Sequence, residues 1–151
     1  MKDKRLSVSA IKEGTVIDHI PPSALFKVVS ILNLDKLDTM ITIGNSLGSS
    51  KLGKKGIIKL SKVFFKDDEI NKIALVAPCA KLNIIRDYDV VEKRVVEIPD
   101  EIIGIAKCVN PICITNNEKV NTRFEVVSKS EVKLKCHYCE KITDQDNIVI
   151  I

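Results

Sequence analysis

The sequence predicts an α+β chain: a ferredoxin-like βαββαβ domain over residues 1–99, then a small β-rich four-cysteine domain over residues 100–151. Three observations predict it. The first hundred residues alternate β-branched runs with stretches of helical spacing. Near Pro99 the composition changes, and four of the five cysteines follow Lys107. The stretch beyond the change is too short for an apolar core to be comfortable alone, so it needs a staple.

Each element has its own signal. Thr15–Ile20 is β-branched and apolar and is closed by Pro21-Pro22, which reads as a strand. Leu25, Val28, Val29 and Leu32 then recur at helical spacing, with Ser23 placed to cap the helix and Pro22 just outside it. Thr39–Gly44 alternates as a strand, NSLGSSKLGKKG reads as a loop, and Ile57–Phe64 alternates again. Asp67, Asp68 and Glu69 suit the positive end of a second helix. Ile70, Ile73, Ala74 and Ala77 give that helix one apolar face, and Pro78 stops it. Lys81–Ile85 and Tyr88–Val91 read as two strands around Arg86-Asp87. A short extra strand is expected at Leu6–Ile11.

Composition excludes several classes. A net charge of +4 spread along the chain does not by itself argue for nucleic acid, and 4% aromatics with no Trp weaken a base-stacking platform, so no nucleic-acid partner is expected. No apolar run approaches a membrane span, so no membrane partner is expected. The charged beginning MKDKRLSVSAIKEG lacks a secretory pattern, and an odd number of cysteines is poor material for disulfides. A reducing cytoplasm is the expected compartment.

The cysteines carry the strongest motif. Cys108 and Cys113 enclose VNPI, Cys136 and Cys139 enclose HY, and Ile114–Lys135 lies between the pairs. Two short-spaced pairs make a closed thiolate cage, for which zinc is the default metal. With no position left open, the metal is structural rather than catalytic. Lys107, Lys133, Lys135, Lys141 and His137 offset the thiolate charge. Cys79 stands alone after Pro78 and reads as a buried small hydrophobe.

Asp18 and His19 are polar neighbours in the first strand. On a regular strand they point to opposite faces, which argues against a catalytic dyad, and no nucleophile elbow accompanies them. The simplest reading puts both at the strand end, in solvent. The competing reading joins His19 with Lys59, Lys93, Lys4 and Arg5 in a cationic pocket for polyphosphate, without a P-loop or GxGxxG.

GTVIDHIP, FKVVSIL, TIGNSLGS, KKGIIKL and APCAKLNIIRDYDVVEK resemble, in order, the allosteric domain of the regulatory chains of aspartate carbamoyltransferase. CVNPICITN and LKCHYCEK resemble the zinc domain of those chains. The likeness runs from about Leu6 to the C-terminus. It departs from the usual pattern at Asn45–Ser49, Lys55-Gly56, Arg5 and Val109. The resemblance implies a non-catalytic, allosteric subunit in pyrimidine biosynthesis, with CTP as inhibitor and ATP as competitor at one site. Ala10 and Ile11 would meet the base, Asp18 and Lys59 the ribose, and His19 and Lys93 the triphosphate. Asn83, Ile85, Tyr88 and Val90 would complete the wall. Cys108, Cys113, Cys136 and Cys139 would bind one zinc ion. The zinc domain would contact the catalytic chain, within a dodecamer of six catalytic chains and six regulatory chains paired as dimers. The alternative from another class is a zinc-ribbon nucleic-acid module fused to a ferredoxin-like domain.

Overall fold

Glycine opens β1 (Gly14–Ile20) for a steric reason. Its φ is +137°, and a Cβ there would collide with the Leu60 carbonyl oxygen. The structure, a computed structural model, describes residues 10–49 and 53–151. It divides into two units, one ending at Val96 and the other beginning at Glu97.

In the first unit, β1 is central in an antiparallel sheet of order β2-β3-β1-β4-β5. The other strands are β2 (Ile41–Ser49), β3 (Gly53–Ser61), β4 (Lys81–Arg86) and β5 (Asp89–Val95). Helix α1 (Leu25–Ile31) follows β1, and α2 (Asp67–Asn71) follows β3. This is the ferredoxin-like order with β5 added as a hairpin partner of β4. One sheet face is buried through Ile17, Ile58, Leu60, Leu82 and Ile84. The helices bring Leu25, Val28, Ile70, Ile73 and Leu75 to the same core. Gly56 marks their close approach: a Cβ there would lie 3.0 Å from Leu25 Cδ1.

Some boundaries differ from expectation. The predicted loop after Gly44 is largely strand, with Leu47, Gly48 and Ser49 paired to Lys55, Lys54 and Gly53. A protruding hairpin needs backbone hydrogen bonds but no buried side chains, so its Gly, Ser and Lys carry no apolar period. Ser23 does not cap α1. A 3-10 turn over Pro22–Ala24 precedes the helix, with Pro21 at its N-cap and proline at the first helical position. The second helix is α only to Asn71 and then tightens into a 3-10 turn over Lys72–Leu75. Glu69 accepts the Lys66 backbone N–H at 3.1 Å and so fixes its start. Asp87 and Tyr88 both have positive φ, +51° and +68°, as the two central residues of a type I′ turn between β4 and β5. Of the expected strand at Leu6–Ile11, only Ala10 and Ile11 are among the described residues, and they are not in a strand.

The second unit is β-rich, as expected. Strands β6 (Glu101–Ile103), β8 (Arg123–Ser128), β9 (Lys133–Cys136) and β10 (Ile142–Asp144) form a sheet of order β10-β9-β8-β6. β7 (Ala106–Lys107) pairs separately with β11 (Val149–Ile150). Phe124, Leu134, Ile102, Val132 and Ile148 are its large buried apolar side chains, a small set for an independent fold, and Cys108, Cys113 and Cys136 are buried beside them. One helical turn, α3 (Ile114–Asn117), follows the first cysteine pair. Among the described residues, no helix is long and apolar enough to cross a membrane.

Candidate functional sites

β1 carries one extra residue. Ile17 pairs with Ile58 and Ile20 with Gly56, so Asp18 and His19 together oppose Ile57. This is a β-bulge, and His19 takes the left-handed conformation at φ +58°. Ile17 and Ile20 are both fully buried, whereas a regular strand would turn residues three apart to opposite faces. The bulge absorbs that mismatch and leaves Asp18 and His19 both off the core face. β2 bulges opposite the same segment: Gly44 pairs with Ile57 and Leu47 with Lys55, and Ser46 has φ +56°.

The face opposite the core gathers most of the expected ligand residues. Lys59 pairs with Val16, Val16 with Asn83, and Asn83 with Lys93. Residues paired in this way share a face, so these four form one row across β3, β1, β4 and β5. The row spans three strand spacings, about 14 Å. Asp18 lies two residues along β1 from Val16, and Ile85 two along β4 from Asn83, both on the same face. Val90 pairs with Ile85. The Tyr88 backbone N–H donates to the Lys12 carbonyl at 2.8 Å, which brings the segment after Ala10 and Ile11 to the β4–β5 turn. Lys4 and Arg5 lie outside the described residues.

Asp18 is held by an ion pair absent from the sequence reading. Lys55 Nζ is 2.9 Å from Oδ1 and 3.1 Å from Oδ2, and the His19 backbone N–H donates to Oδ1 at 2.7 Å. Burial pushes the Asp18 carboxyl up, but the Lys55 and His19 hydrogen bonds outweigh it and hold the group below its ordinary 3.8. Burial pulls the Lys59 ammonium below its ordinary 10.5, against an opposing pull from Asp18. A carboxyl depressed on folding contributes stability above 3.8, and this contribution is lost as pH falls through the folded value. Carboxyl titration by NMR is expected to give an Asp18 midpoint below 3.8 that Lys55→Met moves upward. A wild-type midpoint at or above 3.8 contradicts the ion pair.

In the second unit the four cysteines converge. The sulfurs of Cys108, Cys113, Cys136 and Cys139 all lie within 4.8 Å of one another. Cys108 and Cys139 are 3.5 Å apart, and Cys113 and Cys136 are 3.7 Å apart. Disulfides need about 2.05 Å, whereas a tetrahedral zinc with bonds of about 2.3 Å separates its sulfurs by about 3.8 Å. The donor set therefore fits zinc. Local hydrogen bonds are aimed at the sulfurs: backbone N–H groups of Asn110, Tyr138, Cys139 and Lys141, and the Asn110 side chain. Burial pushes the Cys108 thiol up to about 12 and raises Cys136 as well. Burial also pushes Cys139 up, but hydrogen bonds led by the Lys141 backbone overcome it and leave that thiol at about 7. Four thiolates so close together need a cation among them. Cys79 is exposed rather than buried.

Sequence reasoning missed Lys55 at the first site and Thr115, Asn116 and Asn117 at the second. Their signals were weak: a lysine among loop residues, and polar side chains just after a cysteine.

Comparisons with known proteins agree on one family. Residues 6–97 match the family model described as "Aspartate carbamoyltransferase regulatory chain, allosteric domain". Residues 100–149 match "Aspartate carbamoyltransferase regulatory chain, metal binding domain". The chain is 56% identical to the aspartate carbamoyltransferase regulatory chain of Parabacteroides distasonis, covering 99% of this chain and 97% of that one. It is 59% identical to that of Bacteroides fragilis, over 97% and 95%. It is 55% identical to that of Thermococcus sibiricus, over 97% of each. These matches do not favour the nucleic-acid module. With both units matched in order and the four cysteines gathered, the chain belongs to the aspartate carbamoyltransferase regulatory chains, non-catalytic subunits of pyrimidine biosynthesis that join an allosteric domain to a metal-binding domain.

Proposed function

We propose that residues 1–99 bind a nucleoside triphosphate on the solvent-facing side of the sheet, with CTP as inhibitor and ATP as competitor. The observation that carries this reading is the row Lys59–Val16–Asn83–Lys93. It sets a cationic arm at each end of a short stretch of sheet, with Asp18 beside it to accept ribose hydroxyls. His19, turned off the core by the bulge, adds a group for phosphate. Ala10 and Ile11 offer backbone to the base, with Ile85, Tyr88 and Val90 beside them.

Residues 100–151 hold one zinc ion through Cys108, Cys113, Cys136 and Cys139 and dock on the catalytic chain. Zinc, when bound, supplies a cross-link between two distant loops. The tips of these loops support docking: Ile112 is 85% exposed and Tyr138 is 45% exposed. Pairing of regulatory chains, within an assembly of six catalytic and six regulatory chains, has support in the first unit. There β2 is an edge strand, and Phe26, Met40 and Ile43 are exposed.

Nucleotide shifts the catalytic partner only if it binds the two assembly states unequally, with a coupling of about 1–3 kcal/mol. Calorimetric titration of CTP and ATP into the chain is expected to give one saturable site for which they compete. Heats of dilution alone for both would overturn the nucleotide reading.

A further inference from the structure

The two cysteine loops are not built alike. Cys136 ends β9, and Cys139 sits in the turn from β9 to β10. That turn closes on itself: the Cys136 N–H donates to the Lys141 carbonyl and the Glu140 N–H to the Cys136 carbonyl, both at 3.0 Å. The Cys108–Cys113 loop is two residues longer and leads into α3 rather than back along a paired strand. A longer loop has more conformations, so its cysteines should be the first to leave a metal.

Two adjacent amides meet this difficulty. Asn116 Nδ2 donates to the Cys108 carbonyl at 2.9 Å and the Asn110 carbonyl at 2.7 Å. Asn117 Nδ2 donates to the Pro111 carbonyl at 3.0 Å and the Cys113 carbonyl at 2.8 Å. A primary amide has two N–H donors, so each nitrogen is fully used and together they take four loop carbonyls. Thr115 completes the set, its hydroxyl donating to Cys113 Sγ at 3.2 Å. Three consecutive side chains thus hold the outline of the loop and one of its sulfurs.

We propose that Thr115, Asn116 and Asn117 are positioning residues for the metal centre: they keep the longer cysteine loop in its ligating shape and thereby set how slowly the metal leaves. This rests on the zinc reading above. The amides act on the loop backbone, and Thr115 acts on the sulfur. A hydroxyl donating to a thiolate withdraws charge from it, so its removal changes the metal–sulfur bond rather than the fold.

The test uses the full-length chain loaded with zinc and follows zinc release to a chromogenic chelator. Asn116→Leu and Asn117→Leu keep side-chain volume and remove the donors. Each is expected to speed release about 10–100-fold, the range typical of lost supporting partners at metal sites. Asn117 is exposed, so its replacement leaves packing intact even if Asn116→Leu fails to fold. Thr115→Val in the cobalt-substituted chain is expected to shift the sulfur-to-cobalt charge-transfer band while keeping four-thiolate intensity. Release rates within twofold of wild type for Asn117→Leu, or an unmoved band for Thr115→Val, would overturn the proposal. Failure of the wild-type chain to take up zinc or cobalt would instead undo the zinc reading itself.

Discussion

Replacing Cys136 with serine is expected to unfold residues 97–151 while leaving the first unit folded. The magnitudes decide this. A structural zinc contributes about 10–16 kcal/mol to a small domain at neutral pH. A whole domain is stable by only about 5–15 kcal/mol, and small ones lie at the low end. Cys136 is fully buried, its backbone pairs with Phe124, and its sulfur lies 3.7 Å from that of Cys113. Loss of this ligand therefore removes both a metal bond and a core contact. Hydrogen exchange should show β8 and β9 unprotected in Cys136→Ser, or after chelation of the metal from the wild type, with β1 and β4 still protected. The same treatment should release the catalytic chain, measured as a change in assembly mass. Protection persisting in β8 and β9 of the metal-free chain would contradict the expectation.

The second large effect concerns the open face of the sheet. Lys59→Ala and Lys93→Ala should each weaken CTP binding about 10–100-fold, since a hydrogen bond to a charged group contributes about 1.5–3 kcal/mol. The double replacement should weaken it further, and a nucleoside without phosphates should be nearly indifferent to Lys93→Ala. Neither lysine belongs to the buried face, so the sheet should keep its stability in urea. Unchanged CTP affinity in the double variant would remove the row from the binding site.

Much of this architecture was legible because the relevant signals are local. Thr15–Ile20 read as a strand through its apolar run and the prolines beyond it, and the sheet places it at the centre. Alternation over Ile57–Phe64 marked β3 as a strand, and the cysteine spacing marked two metal-binding loops. What escaped notice depended on partners distant in sequence or on backbone conformation. Gly48 and Lys54 pair because the chain reverses between them, not because of their side chains. His19 adopts a left-handed conformation that nothing in the residue type demands; the need arises from fitting Ile17 and Ile20 to one core. The Lys55–Asp18 pair joins residues far apart in sequence, and only the ladder between β1 and β3 brings them together. Asn116 and Asn117 carry no motif of their own, and their role follows only from the four carbonyls that face them.

Strand β5 carries a consequence for how an effector would be felt. Among the described residues its only strand partner is β4, at the sheet edge; all of its side chains but Arg94 are exposed, and Arg94 reaches back to Asp67 at 3.0 Å. Such a strand can open while the rest of the sheet stays closed. Lys93 would then leave the row while Lys59 and Asn83 stayed in place. A ligand gripping both ends of the row would draw that frayed margin into order, so part of its binding free energy would be converted into rigidity at one edge of the domain. An effector too short to reach Lys93 would bind the same centre yet leave the edge loose, and two ligands sharing one site could thus leave the chain in different mechanical states.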